Sequence, residues 1–249
     1  NTMKGRKYVS SSSISSSSSI STHPLETFSC CDVPITDMDV EKKINSVDNE
    51  SQALITGLRD GTCRIFDLFT GDQTAYFEKH EAPVSVVKCF NKHLYLSGGL
   101  DGNIKLWDAR SHSPNVLSAG LHRNRKIGAM YGVTSVLIPN HSQQGDLDSN
   151  AEMNWQGISP SIEILTTGSD GKIYLSDVRK NLKVIREYQG HDCPIFSAVQ
   201  ATVPVYNGKN STENSTNTIF SGNSKGMVLA HDLASGKLLY GLGAIQNAP

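Results

Sequence analysis

Apolar residues come in short runs along the chain, and the runs are paired across turns. Ala53-Leu54-Ile55, Leu94-Tyr95-Leu96, Ile162-Glu163-Ile164-Leu165 and Thr218-Ile219-Phe220 each lead into a Gly-containing turn. Alternating runs such as Cys63-Arg64-Ile65-Phe66 and Ile173-Tyr174-Leu175 follow the turn. In Asn103–Asp108 the alternation is plain: Ile104, Leu106 and Asp108 lie on one side, and Asn103, Lys105 and Trp107 on the other. A period of two predicts strands, and apolar run, Asp-Gly turn, apolar run predicts a β-hairpin. The turn glycine is required because such turns need a positive φ. An outer strand is expected at 73–77 and an inner strand at 84–90, so that each unit is four short antiparallel strands.

The turns form a repeat. Thr56–Gly61, Ser97–Gly102, Thr166–Gly171 and Ser221–Gly226 align without gaps, each beginning with Ser or Thr and ending with Gly. Five residues after the Gly stand Phe66, Trp107, Ser176 and His231, and the next residue is always Asp: Asp67, Asp108, Asp177 and Asp232. The Asp-to-Asp intervals are 41 (67 to 108), 69 (108 to 177) and 55 (177 to 232) residues. The first matches a propeller blade period of about 40–45 residues, and the others imply insertions.

Trp107-Asp108 and the Gly190-His191 dipeptide make this repeat resemble the WD-repeat family over about residues 28–249. The resemblance implies an all-β propeller of about four four-stranded blades plus part of a fifth. In that family a His, a Ser or Thr, an Asp and a Trp form a hydrogen-bonded relay within a blade. Carried over, the second unit has His80, Ser97, Asp101 and Trp107. The third has His122, Thr166 and Asp170, with Ser176 in place of Trp. The fourth has His191 and Ser221, with Lys225 and His231 at the remaining positions. The first has Thr56, Asp60 and Phe66 and no His. These residues recur unit after unit, whereas a catalytic triad would occur once.

Blades are expected at about 29–80, 81–122, 123–191 and 192–249, with the end of a preceding blade and a Ser-rich loop in 1–28. A Pro precedes the expected inner strands (Pro34, Pro83, Pro194), and Pro249 falls at the corresponding distance after Asp232. The expectation is a fragment of a seven-bladed ring, with a closed four-bladed ring as the alternative. Polar insertions are expected at 139–160 and 203–217, on the same face of the disc as the Ser-rich stretch 10–22. The opposite face keeps short loops, at 57–61, 79–83, 98–102, 122–126, 168–171, 190–194 and 222–226.

Composition narrows the function. Lys plus Arg is 23 against 24 acidic residues, without the basic excess of a nucleic-acid binder. Five cysteines without C-x-x-C spacing argue against a disulfide framework and a zinc site and fit a reducing compartment, cytoplasm or nucleus. No apolar stretch reaches membrane-span length, and no Gly-rich phosphate loop, metal cluster or cofactor motif is present. The chain is therefore expected to be a scaffold that binds other proteins in a larger intracellular assembly, without catalysis, cofactor or nucleic acid. Candidate contacts on the short-loop face are Arg59, His80, Leu100, Arg123, Arg125, Ser169, Asp192 and Lys225. An alternative comes from Trp107-Asp108-Ala109-Arg110 and Ser176-Asp177-Val178-Arg179, which look like the W-D-x-R motif of substrate receptors for cullin-4 ubiquitin ligases. That reading makes Arg110 and Arg179 an adaptor site. A further alternative is a propeller attached to an enzyme or trafficking domain elsewhere in the polypeptide.

Overall fold

Among the described residues four four-stranded antiparallel sheets follow one another in chain order. The computed structural model describes residues 32–41, 52–78, 80–91, 93–124, 127–139, 163–205 and 214–243. All of them lie in one of two compact units, residues 31–249. The first sheet is β1 (Ile35–Val40), β2 (Ala53–Leu58), β3 (Cys63–Asp67) and β4 (Gln73–Phe77). The second is β5 (Val84–Asn91), β6 (Leu94–Gly99), β7 (Ile104–Asp108) and β8 (Asn115–Ala119). A two-stranded hairpin, β9 (Arg123–Asn124) and β10 (Ala129–Met130), precedes the third sheet. That sheet is β11 (Val133–Leu137), β12 (Glu163–Gly168), β13 (Ile173–Asp177) and β14 (Lys183–Tyr188). The fourth is β15 (Ile195–Val205), β16 (Asn214–Asn223), β17 (Met227–Asp232) and β18 (Leu238–Gly243). Strands neighbour one another in chain order within each sheet, as in up-and-down blades. Among the described residues the one helical turn is the three-residue 3-10 segment Val178–Lys180.

The repeated residues have local reasons. Gly61, Gly102, Gly171 and Gly226 close the turn between the second and third strands with φ between 74° and 86°, a region that disfavours a Cβ. The Asp at the end of the third strand folds back on the next turn. Oδ1 of Asp67 accepts the Phe69 and Thr70 amides, and Oδ1 of Asp108, Asp177 and Asp232 accepts those of Arg110, Arg179 and Ser235. Such an Asx turn needs a short side-chain acceptor, which accounts for Asp in all four units.

Alternation sends the two faces of the second and third sheets into different cores. Ile55, Cys63, Ile65 and Phe77 of the first sheet meet Val84, Val87, Tyr95 and Trp107 of the second. On the second sheet's other face Leu96, Ile104 and Leu106 meet Val133, Val136 and Ile164. Leu165, Ile173, Leu175 and Tyr188 of the third then meet Ile195, Ala198 and Ile219 of the fourth. Trp107 stacks on Phe77, centroids 5.0 Å apart and planes 2° from parallel. Close approach sets small residues at the interfaces. A Cβ on Gly98 would lie 2.7 Å from Val133 Cγ1, and one on Gly57 2.6 Å from Val84 Cγ1. Asp37 and Asp39 of β1 add polar links by accepting the Val87 and Cys89 amides of β5, both at 2.9 Å.

Two expected loops are built differently. The connection between β8 and β11 is not a short loop at 122–126, because it carries the β9–β10 hairpin. The stretch 203–217 is not wholly an insertion: Val203, Pro204 and Val205 pair with Thr216, Ser215 and Asn214, prolonging the β15–β16 ladder. The half-blade and Ser-rich loop expected in 1–28 lie outside the described residues, as does the insertion at 139–160 except for Pro139.

Candidate functional site

In the second blade four side chains form one hydrogen-bonded chain. Trp107 Nε1 donates to Ser97 Oγ (2.8 Å), Ser97 Oγ is 2.7 Å from His80 Nε2, and His80 Nδ1 is 3.1 Å from both Asp101 carboxylate oxygens. The Asp101 oxygens also accept the amides of Glu81 and Asn103. Burial opposes the charge on Asp101, but hydrogen bonds from His80 and Asn103 outweigh it and hold the carboxyl well below the usual carboxylate range. The side chains of His80 and Asp101 have no exposed surface, and Ser97 is fully buried, so no substrate reaches them. His80 is therefore not a surface contact; it lies beneath the short-loop face.

The other blades vary the arrangement. In the third, His122 bridges Asp170 Oδ1 (2.9 Å) and Thr166 Oγ1 (3.1 Å), Tyr174 packs beside the ring, and the Ser176 hydroxyl is buried without a partner. In the fourth, His191 Nε2 lies 2.7 Å from Ser221 Oγ, and its Nδ1 is 3.0 Å from Asn223 Nδ2. Lys225, at the position of the missing Asp, points outward and pairs with Asp192 at 2.6 Å. His231, in the Trp position, is fully buried and donates from Nε2 to the Gln189 carbonyl.

Asn223 was not among the expected residues, yet one position explains it. Leu58, Gly99, Gly168 and Asn223 each stand two residues after the Ser or Thr of their unit. A Cβ on Gly99 would meet His80 Nδ1 and Asp101 Oδ1, both at 2.5 Å, so a His–Asp pair leaves room only for glycine there. Where the His is missing, Leu58 is fully buried at the same position. Where the Asp is missing, Asn223 enters instead. The signal in the sequence was the departure from Gly at this position.

Behind the short-loop face, each turn is tied in the same way to the segment that enters the first strand of its own sheet. The amides of Arg59, Leu100, Ser169 and Ser224 donate to the carbonyls of Pro34, Pro83, Gly132 and Pro194, at 2.9–3.0 Å. The exposed residues here include Arg59, Leu100 (48% exposed), Ile127 (69%) and Met130 (48%). Arg123 is paired with Glu81 at 3.3 Å, and Arg125 lies outside the described residues. On the opposite face Arg110 lies back on Asp108 through two bonds of 2.9 Å, and Arg179 Nε is 3.8 Å from Asp177. Phe69, at the matching turn of the first blade, is 84% exposed. Burial raises the thiols of Cys63 and Cys89 to about 12, so both stay protonated and are poor nucleophiles.

The family profile described as "WD domain, G-beta repeat" matches residues 71–108, the stretch that ends on Trp107-Asp108. The WD40 β-propeller domain of Doa1 superposes with a TM-score of 0.52 at 17% identity, over 78% of this chain and 51% of that one. Residues 71–108 are a WD repeat, and the chain has the fold of the WD-repeat propellers. A chain of the Mitotic Checkpoint Complex superposes on this WD-repeat protein with a TM-score of 0.54 at 15% identity, over 81% of this chain and 54% of that one. Among sequence relatives, guanine nucleotide-binding protein subunit beta-1 of Nicotiana tabacum is 27% identical over 213 residues, 81% of this chain and 46% of that protein. Denticleless protein homolog of Danio rerio is 25% identical over 140 residues, 53% of this chain and 21% of that protein. The WD-repeat chain thus spans less than half the length of either relative. WD-repeat propellers are in general non-catalytic scaffolds. Among the described residues no helix is long and apolar enough to cross a membrane.

Proposed function

We propose that this WD-repeat chain is a protein-interaction scaffold within a larger intracellular assembly, and that partners dock on its short-loop face. The observation that carries the reading is the recurring amide-to-carbonyl lock behind each turn, which holds Arg59, Leu100, Ser169 and Ser224 in equivalent settings across four blades. A surface already ordered loses less conformational entropy when a partner docks. Leu100, Ile127 and Met130 supply apolar contact area, with Arg59 as a polar anchor. Binding rather than catalysis is favoured by the burial of every complete His–Ser/Thr–Asp set.

The test compares partner capture by the unsubstituted chain and by two variants. Arg59→Glu with Leu100→Asp and Ile127→Asp should abolish capture. Arg110→Glu with Phe69→Asp, on the other face, should leave it intact. The reverse pattern would overturn the assignment. A cullin-4 adaptor site is the second reading, supported by the Asp-x-Arg turns that place Arg110 and Arg179 on one face. In that case the Arg110→Glu form alone would lose a ligase adaptor from the captured set.

A further inference from the structure

The hydrogen bonds of the fourth blade run in the opposite direction from those of the second. In the second blade Asp101 can only accept from His80 Nδ1, so that nitrogen carries the proton, and Ser97 donates to Nε2 while receiving from Trp107. In the fourth blade the amide of Asn223 is fixed by its own contacts. Its Oδ1 accepts the backbone amides of Lys225 (3.1 Å) and Met227 (3.0 Å), which leaves Nδ2 facing His191 Nδ1 at 3.0 Å. Asn223 therefore donates, His191 Nδ1 must be a bare acceptor, and the ring proton sits on Nε2. From there it reaches Ser221 Oγ, whose own hydroxyl points to the Leu229 carbonyl at 3.4 Å. The neutral ring satisfies every group in this chain, and the imidazolium does not. A proton on Nδ1 would oppose the Asn223 N–H, and the amide cannot turn over without abandoning two backbone donors.

We propose that His191, Asn223 and Ser221 form an acid-sensitive latch that holds the fourth blade's short-loop turns at neutral pH and releases them when His191 takes up a proton. The surroundings fit. His231 of β17 disfavours a positive charge on His191, and its own Nε2–H is committed to the Gln189 carbonyl. Tyr188 of β14 packs edge-on against His231, centroids 5.7 Å apart. Asp192, next in the chain, is exposed and bound to Lys225, with Cys193 beside it. His191 is only partly buried, so a proton reaches it from solvent. Burial, then His231, lower its pKa from the ordinary 6.5, against a smaller opposing effect of Asp192. The sign follows: the unfolded chain binds the proton more tightly, so the blade is fully stable above about 6.5 and loses stability as pH falls through it toward the folded-state value. What the latch holds is the turn at 190–194 and the turn at 222–226, joined by the Ser224 amide to the Pro194 carbonyl.

Long-range proton–nitrogen spectra of the histidine side chains test it, with the His191 signals assigned by their loss in His191→Gln. At pH 7.5 the full chain should show His191 as the Nε2–H tautomer and His80 protonated on Nδ1. On acidification the His191 midpoint should lie below 6.5. Asn223→Asp replaces the donor by a carboxylate and should raise the midpoint by about one unit or more. It should also remove the fall in urea midpoint between pH 7.5 and 5.5. A charged or Nδ1–H His191 at pH 7.5 in the unsubstituted chain would overturn the latch, and so would a midpoint unmoved by Asn223→Asp. The tautomer measurement decides the matter even if the variant does not fold.

Discussion

Asp101 accepts from His80, Glu81 and Asn103, so its removal strands buried donors. Asp101→Ala should cost roughly 1–3 kcal/mol in urea unfolding. Because its folded-state pKa is depressed, the carboxylate's contribution is present above about pH 4 and declines as pH falls below that. Asp101→Ala should lack this part of the acid response. Ser176 makes the opposite case: its hydroxyl is buried with no partner, so Ser176→Ala should leave the thermal midpoint unchanged or raise it slightly. At this scale the resemblance to WD repeats brought His80, Ser97, Asp101 and Trp107 into one expected relay. It missed Asn223 because the fourth blade fills the same space from a different position, two residues before Lys225. Alignment by residue type compares positions, whereas a hydrogen-bonded chain needs an atom at a point in space. For the same reason His80 was misplaced on the surface: its turn is exposed but its ring points inward.

Strands with alternating apolar residues were legible from periodicity, and the glycine turns between them from the need for positive φ. The β9–β10 hairpin was not, since a ladder of two residue pairs is too short to show a period. The outer end of β15–β16 was hidden for another reason. Thr202 and Val203 pair with Asn217 and Thr216 across a ribbon outside the apolar cores, so nothing forces apolar alternation there. Glycines at one aligned position offer a matched test of how sheets meet. Gly98 faces Val133 and Val86, whereas a Cβ on Gly222 would meet nothing within 4 Å. Gly98→Ala should destabilise by roughly 1–3 kcal/mol through overpacking. Gly222→Ala should be neutral in the same denaturation measurement.

Each core between consecutive sheets is built from one face of each, so the outward face of the fourth sheet is left uncovered among the described residues. Phe196 (64% exposed), Val199 (57%) and Leu242 (59%) stand there around the open space at Gly222. Apolar area of this kind favours association. The chain should self-associate with rising concentration in light scattering, and Phe196→Asp with Leu242→Lys should shift it toward monomer without lowering its unfolding midpoint. The central claim concerns the other exposed surface, the short-loop face. Site-specific photo-crosslinking tests it most directly, with the probe placed at residue 100 or 224 on that face, or at residue 69 or 110 on the opposite one. The account predicts crosslinks to the same partner from 100 and 224 and none from 69 and 110. Crosslinks confined to 69 and 110 would contradict it.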